Sequence, residues 1–177
     1  MKRLTLTAVF LALFIAAAYA DTDSYQHTVT ISIPEIALVD VEGANVSLSI
    51  SVPGNEAGEA PVGGTNSNAW LNYTSTVELN KTRTVTVQSN SNLSGLGLYV
   101  TAANYTGQGA GVLGTSAGEK KIESSAVAIV TGIGSCYTGT GTNNGHQLTY
   151  RLAVENMGSV TIDNTNVIVI YTITNDN

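Results

Sequence analysis

The chain has 177 residues, of which 43% are hydrophobic and only 11% charged, with a single cysteine. Seven basic residues against 13 acidic ones leave a net charge of −6, which argues against a nucleic-acid partner, because phosphate binding needs a basic footprint. With Cys136 alone there is no intramolecular disulfide, so the core has to be stable by burial or the thiol has to bridge to another chain.

Taken in order, the chain opens with an export signal. Lys2 and Arg3 precede an apolar run from Leu4 to Ala18, and Ala18-Tyr19-Ala20 supplies a small-x-small cleavage pattern, as in a secretory signal peptide over residues 1–20. The run is shorter than a membrane span needs and lacks a positive flank behind it. The reading is a mature domain over 21–177 that is secreted or held at the cell surface, with no membrane insertion after cleavage. Losing Lys2 and Arg3 leaves 7 − 2 = 5 basic residues against 13 acidic ones, a charge of −8.

Strand signals dominate the rest. His27 to Ile33 alternates Val29, Ile31 and Ile33 with Thr28, Thr30 and Ser32, and Pro34 ends it or marks an edge. Glu35 to Val41 is a short apolar run, and Asn45 to Val52 alternates Val46, Leu48, Ile50 and Val52 with serines, the pattern of a half-buried strand. Pro53 to Asn68 reads as a long loop. Ala69 to Ser75 carries Trp70, the only tryptophan, which reads first as a core anchor and second as a sugar-stacking platform. Arg83 to Gln88, Leu96 to Val100 and Ala126 to Val130 are further strands. The glycine-rich stretches Thr101–Gly118 and Gly132–Gly145 read as irregular.

Two runs close the chain. Gln147–Val154 alternates as a half-buried strand, with Leu148, Tyr150 and Leu152 on the inner face. Val167–Ile173 is apolar on both faces at its start, so it is expected to lie centrally in a sheet or to sit under another layer, facing the first run across a polar, turn-rich connection. Nine or ten short strands without an amphipathic helix predict an all-β fold, a single antiparallel β-sandwich of immunoglobulin-like or jelly-roll type.

Chemistry-bearing motifs are sparse. Gly109-Ala110-Gly111-Val112-Leu113-Gly114 fits a dinucleotide fingerprint literally, but no helix follows it. Gly114-Thr115-Ser116-Ala117-Gly118 fits a nucleophile elbow without the α/β sheet that elbow requires. Cys136 has only His27 and His146 as candidate bases, and it reads first as a small buried hydrophobe. Asp40 and Glu42, with Asp21 or Asp23, fall short of the oxygen count calcium needs. No cofactor or metal is expected. Asn45, Asn72, Asn80, Asn92 and Asn104 stand in Asn-x-Ser/Thr sequons, candidate N-glycosylation sites if the compartment allows it.

The signal peptide, the alternating N-terminal strand, the Ser/Thr/Asn/Gly-rich body and the terminal Val169-Ile170-Tyr171-Thr172-Ile173-Thr174 together resemble secreted prokaryotic surface proteins of the fimbrial-subunit and spore-coat-U-like kind. The chain departs from those fimbrial subunits that carry a disulfide. The resemblance implies a subunit that lends a strand to a neighbour. Tyr25–Ile33 suits that role physically, since Val29, Ile31 and Ile33 can fill a groove while the backbone pairs with an open edge; it equally suits the first strand of its own domain. The expected function is a non-enzymatic extracellular structural protein, a self-assembling subunit of a filament, fimbria or matrix. The alternative is a carbohydrate-binding or adhesive module using Trp70, Tyr73 and the Gly132–Gly145 loop, with an exposed aromatic platform for a glycan.

Overall fold

The computed structural model describes residues 24–176; the predicted signal peptide and Asp21 and Asp23 lie outside the described residues. The chain divides between Ser32 and Ile33 into two units. Among the described residues of the first unit there is no strand. The second unit holds eleven strands: β1 Ile36–Gly43, β2 Ile50–Ser51, β3 Val62–Gly63, β4 Thr65–Thr76, β5 Arg83–Ser89, β6 Leu96–Ala102, β7 Ala110–Ser116, β8 Lys120–Lys121, β9 Val127–Tyr137, β10 His146–Val154 and β11 Val169–Asn175. The one helical element among the described residues is a single 3₁₀ turn, Met157–Ser159, capped by the Asn156 side chain accepting from the Gly158 amide. The described residues are therefore all-β.

The alternation in β5 shows how the sequence builds this sheet. Arg83, Val85 and Val87 are buried on one face, and Thr84, Thr86 and Gln88 stay partly exposed on the other. β10 behaves likewise, burying Leu148, Tyr150 and Leu152. Nine strands form one antiparallel sheet with the path β11-β5-β9-β4-β10-β6-β8, while β1 adds to β4 and β7 adds to β9. β2 and β3 form a separate two-stranded ribbon. β4 and β9 meet only at Thr74–Tyr137 and Ser75–Cys136. The core is built from Leu71, Val85, Val100, Ile129, Ile133 and Leu148, all fully buried.

Several expectations are corrected. Val29, Ile31 and Ile33 do not line an inner face: they are 69%, 79% and 80% exposed. Asn45–Ser49 is not strand; Val46 and Leu48 pack against the core without ladder partners, and only Ile50–Ser51 pairs, with Val62–Gly63. The final two runs are not ladder neighbours, because β10 pairs with β4 and β6 while β11 pairs with β5, although the Tyr150 and Tyr171 hydroxyls meet at 2.5 Å. Nor is β11 central; it ends the sheet path, with Ile170 exposed. The stretches read as irregular hold strands: β7 lies within Thr101–Gly118, β9 runs on to Tyr137, and β4 begins inside the expected Pro53–Asn68 loop.

Candidate assembly site

The feature that stands apart chemically is the N-terminal arm, Ser24 to Ile33, together with its root. The arm carries no Asp, Glu, Lys or Arg. Tyr25 is 91% exposed and the three alternating aliphatic residues are nearly as open. An uncharged alternating segment exposed in this way is the kind of chain that adds to a sheet edge.

The root is held firmly. Thr76 Oγ1 donates to the Pro34 carbonyl at 2.8 Å and accepts from the Ile36 amide at 2.6 Å. Arg83, 1% exposed, donates through Nη1 to the Ile36 carbonyl at 2.8 Å and through Nη2 to the Thr76 carbonyl at 3.3 Å and to Glu35 Oε1. Asn175, at the end of β11, donates from Nδ2 to the same Glu35 oxygen at 3.2 Å. Asp176 closes the same end, with its amide donating to the Thr82 carbonyl at 2.9 Å and its carboxylate accepting from Thr82 Oγ1 at 2.6 Å. β1, β5 and β11 are thus tied together around one buried guanidinium. Arg83 Nε has no partner.

A second polar cluster lies inside the body. The Tyr73 hydroxyl lies against both the Leu113 carbonyl and His146 Nε2, 2.7 Å from the nitrogen, and His146 Nδ1 donates to the Ala103 carbonyl at 2.7 Å. The Tyr73 ring stacks on His146 and Tyr105 meets it edge-on. Both ring nitrogens of His146 are therefore engaged. Burial pushes the Cys136 thiol up to about 11, so it stays protonated at neutral pH. The cluster ties β4, β10, the end of β6 and β7 together.

Burial lowers the pKa of His146 below its ordinary 6.5, opposed in part by hydrogen bonds to the Ala103 and Leu113 carbonyls. Below 6.5 the unfolded chain takes up a proton that the folded one refuses, so stability falls as pH drops through this value towards the lower folded pKa; above 6.5 this group contributes no slope. The slope from one such group cannot exceed about 1.4 kcal/mol per pH unit. Urea midpoints measured at about pH 7.5 and about pH 5.5 are expected to drop by a smaller amount in His146→Gln than in the parent chain.

On the exposed side of β10, β6 and β8 runs a row of charges. Arg151 pairs with Glu119 at 2.7 Å and lies over the Tyr99 ring; Tyr99 donates to Glu155, which also takes Lys121 at 2.9 Å. These exposed pairs contribute little to stability.

The remaining predicted sites separate. Tyr73 is 3% exposed and so belongs to the core. Trp70 is partly exposed and odd in register to Tyr73 on β4, opposite Glu42 and Gln147. The two rings therefore do not form a joint platform, because residues three apart on a strand point to opposite faces. Of the sequons, Asn45, Asn80, Asn92 and Asn104 are exposed, but Asn72 is 6% exposed and donates to the Gly141 carbonyl, so the folded domain cannot present it to a glycosyltransferase. Asp40 and Glu42 lie on β1, and among the described residues no group of three or more His, Cys, Asp or Glu gathers for a metal ion. The alternating N-terminal pattern pointed to the arm. Only the matching parity of Arg83, Val85 and Val87 marks the Arg83 clamp in the sequence.

No family model, curated protein or solved structure matches the chain.

Proposed function

We propose that this is a non-enzymatic extracellular structural protein, a subunit that assembles with further copies into a surface filament or matrix. The body is read as a β-sandwich, in which β1-β4-β10-β6-β8 and β7-β9-β5-β11 pack their apolar faces together across the short β4–β9 contact. The observation that carries the assembly reading is the arm: three aliphatic side chains at alternating positions, exposed, on chain without a ladder partner. Left uncovered in water, each costs on the order of 1.5–3 kcal/mol of burial that a partner would recover. The export-signal pattern supports an extracellular place, where such an arm meets other copies. Buried Cys136 and the fully engaged His146 provide no activated nucleophile or base, which supports a structural role.

The test compares mature chain from Asp21 with a chain starting at Pro34, which keeps the root. The longer chain is expected to elute as oligomers or to form filaments under negative stain, and the shorter one to remain a folded monomer. A monomeric longer chain at all concentrations would sink the reading.

A further inference from the structure

The outer face of β1 and β4 carries a second site, independent of the assembly reading: we infer that it binds a primary alkylammonium group, the head of a lysine side chain or of a free polyamine.

The strand register builds this site. Across the β1–β4 ladder Asp40 stands opposite Asn72, Glu42 opposite Trp70 and Leu38 opposite Thr74. Residues directly opposed in an antiparallel pair put their side chains on one face. That face is the one turned away from the core, since the core residues of β4, Ala69, Leu71 and Tyr73, have the other parity. Thr140, in the connection from β9 to β10, joins Leu38, Asp40, Glu42, Asn72 and Thr74 in lining a depression of about 140 Å³.

The unmet polar groups of this depression are acceptors. Neither Asp40 nor Glu42 forms an ion pair among the described residues, and no Lys or Arg lines the depression. The Val41 amide donates to Asp40 Oδ1 at 2.8 Å, which holds that carboxylate in place. Asn72 is 6% exposed; its Nδ2 donates to the Gly141 carbonyl at 3.0 Å, and its Oδ1 has no partner. Buried acceptors in native folds are nearly always met, and this one finds no donor within the chain.

Two carboxylates and an amide oxygen select the ligand. An ammonium group has three N–H donors and no acceptor, so each of its hydrogens finds one of these oxygens. Phosphate, sulfate and carboxylate ligands are repelled by the same pair of charges. A calcium ion would need six or more oxygens, more than this face brings together. Trp70 is partly exposed and lies outside the core cluster. Its indole attracts a neighbouring cation through the ring quadrupole, and exposed Leu38 gives an alkyl stem apolar surface to lie on.

Trp70 is the only tryptophan, so its emission, excited where tyrosine does not absorb, reports on this face alone. The whole mature chain from Asp21 is titrated with cadaverine, with Nα-acetyl-lysine methylamide and with the uncharged diol of the same length as cadaverine. A saturable change is expected with one or both amines at a Kd of about 1 mM or tighter, and none with the diol. Binding of the lysine derivative assigns the ligand to a protein side chain, whereas binding of cadaverine alone assigns it to a free polyamine. Asp40→Asn and Glu42→Gln keep the shape of each side chain. Each is expected to retain the circular dichroism of the parent and to weaken amine binding about tenfold or more. Equal responses to cadaverine and the diol would overturn the proposal, as would variants that bind like the parent or the lack of a saturable change with either amine. A saturable response to cellohexaose, with none to the amines, would overturn it in favour of a glycan site.

Discussion

Arg83→Ala is expected to destabilise the body by about 3 kcal/mol, the largest loss from any single charged residue. The side chain is 1% exposed and donates to two backbone carbonyls, Ile36 and Thr76, as well as to Glu35. Truncation removes charge-assisted bonds to groups that then lack a partner, and it leaves a hole where the aliphatic stem packed. The ion pair with Glu35 is the smaller share, because that carboxylate is 66% exposed and screened by water. Glu35→Gln is accordingly expected to cost less than about 1 kcal/mol. Urea unfolding of both variants separates the two contributions. Equal losses would mean that the carbonyl contacts matter little and that the clamp is only a surface ion pair.

Gly145→Ala is expected to leave little or no folded protein. Gly145 has φ +79°, and a Cβ placed on it would stand 2.1 Å from the Leu71 carbonyl oxygen and 2.4 Å from Asn72 Oδ1. The nearer atom is backbone in the middle of β4, which cannot move without breaking the adjoining Leu71–His146 ladder pair. Gly118 supplies the control: φ is +75° but nothing lies within 4 Å of its added Cβ. Gly118→Ala should cost only the left-handed backbone penalty of about 1–2 kcal/mol, against roughly 4 kcal/mol or more at Gly145. Soluble yield and thermal melts followed by circular dichroism check this; similar melting points for the two variants would refute the steric argument.

How far the fold was readable depends on whether each strand's neighbours leave a mark on its own sequence. In β5 and β10 they do, since one face is core and the other is wet, and the alternation follows. Val167–Ile173 misled because continuous apolarity usually means cover on both sides; here β11 ends the sheet path, and its apolar residues are only partly covered. Asn45–Val52 has the pattern of a strand, yet residues 45–49 find no ladder partner, and pairing is a property of the partner as much as of the segment. β7 and most of β9 were hidden by glycines, which propensity assigns to turns although strands accommodate them at bulges and close approaches. At the candidate site, the arm was legible because its alternation is local. The clamp was not, because it joins residues from β1, β4, β5 and β11 that only the folded chain brings together.

The row of charges on β10, β6 and β8 has a wider effect. Of the five basic residues among the described ones, Arg83, Lys121 and Arg151 are committed to carboxylates, leaving Lys81 and Lys120 outside those pairs. The pairs leave the net charge unchanged: among the described residues five basic against 11 acidic ones give 5 − 11 = −6, so the far field is that of a polyanion. Two such bodies repel at long range, and the repulsion fades as added salt shortens the Debye length to about 10 Å at 0.1 M. Association through apolar side chains and backbone bonds would then strengthen with ionic strength, the reverse of what charge-driven assembly shows.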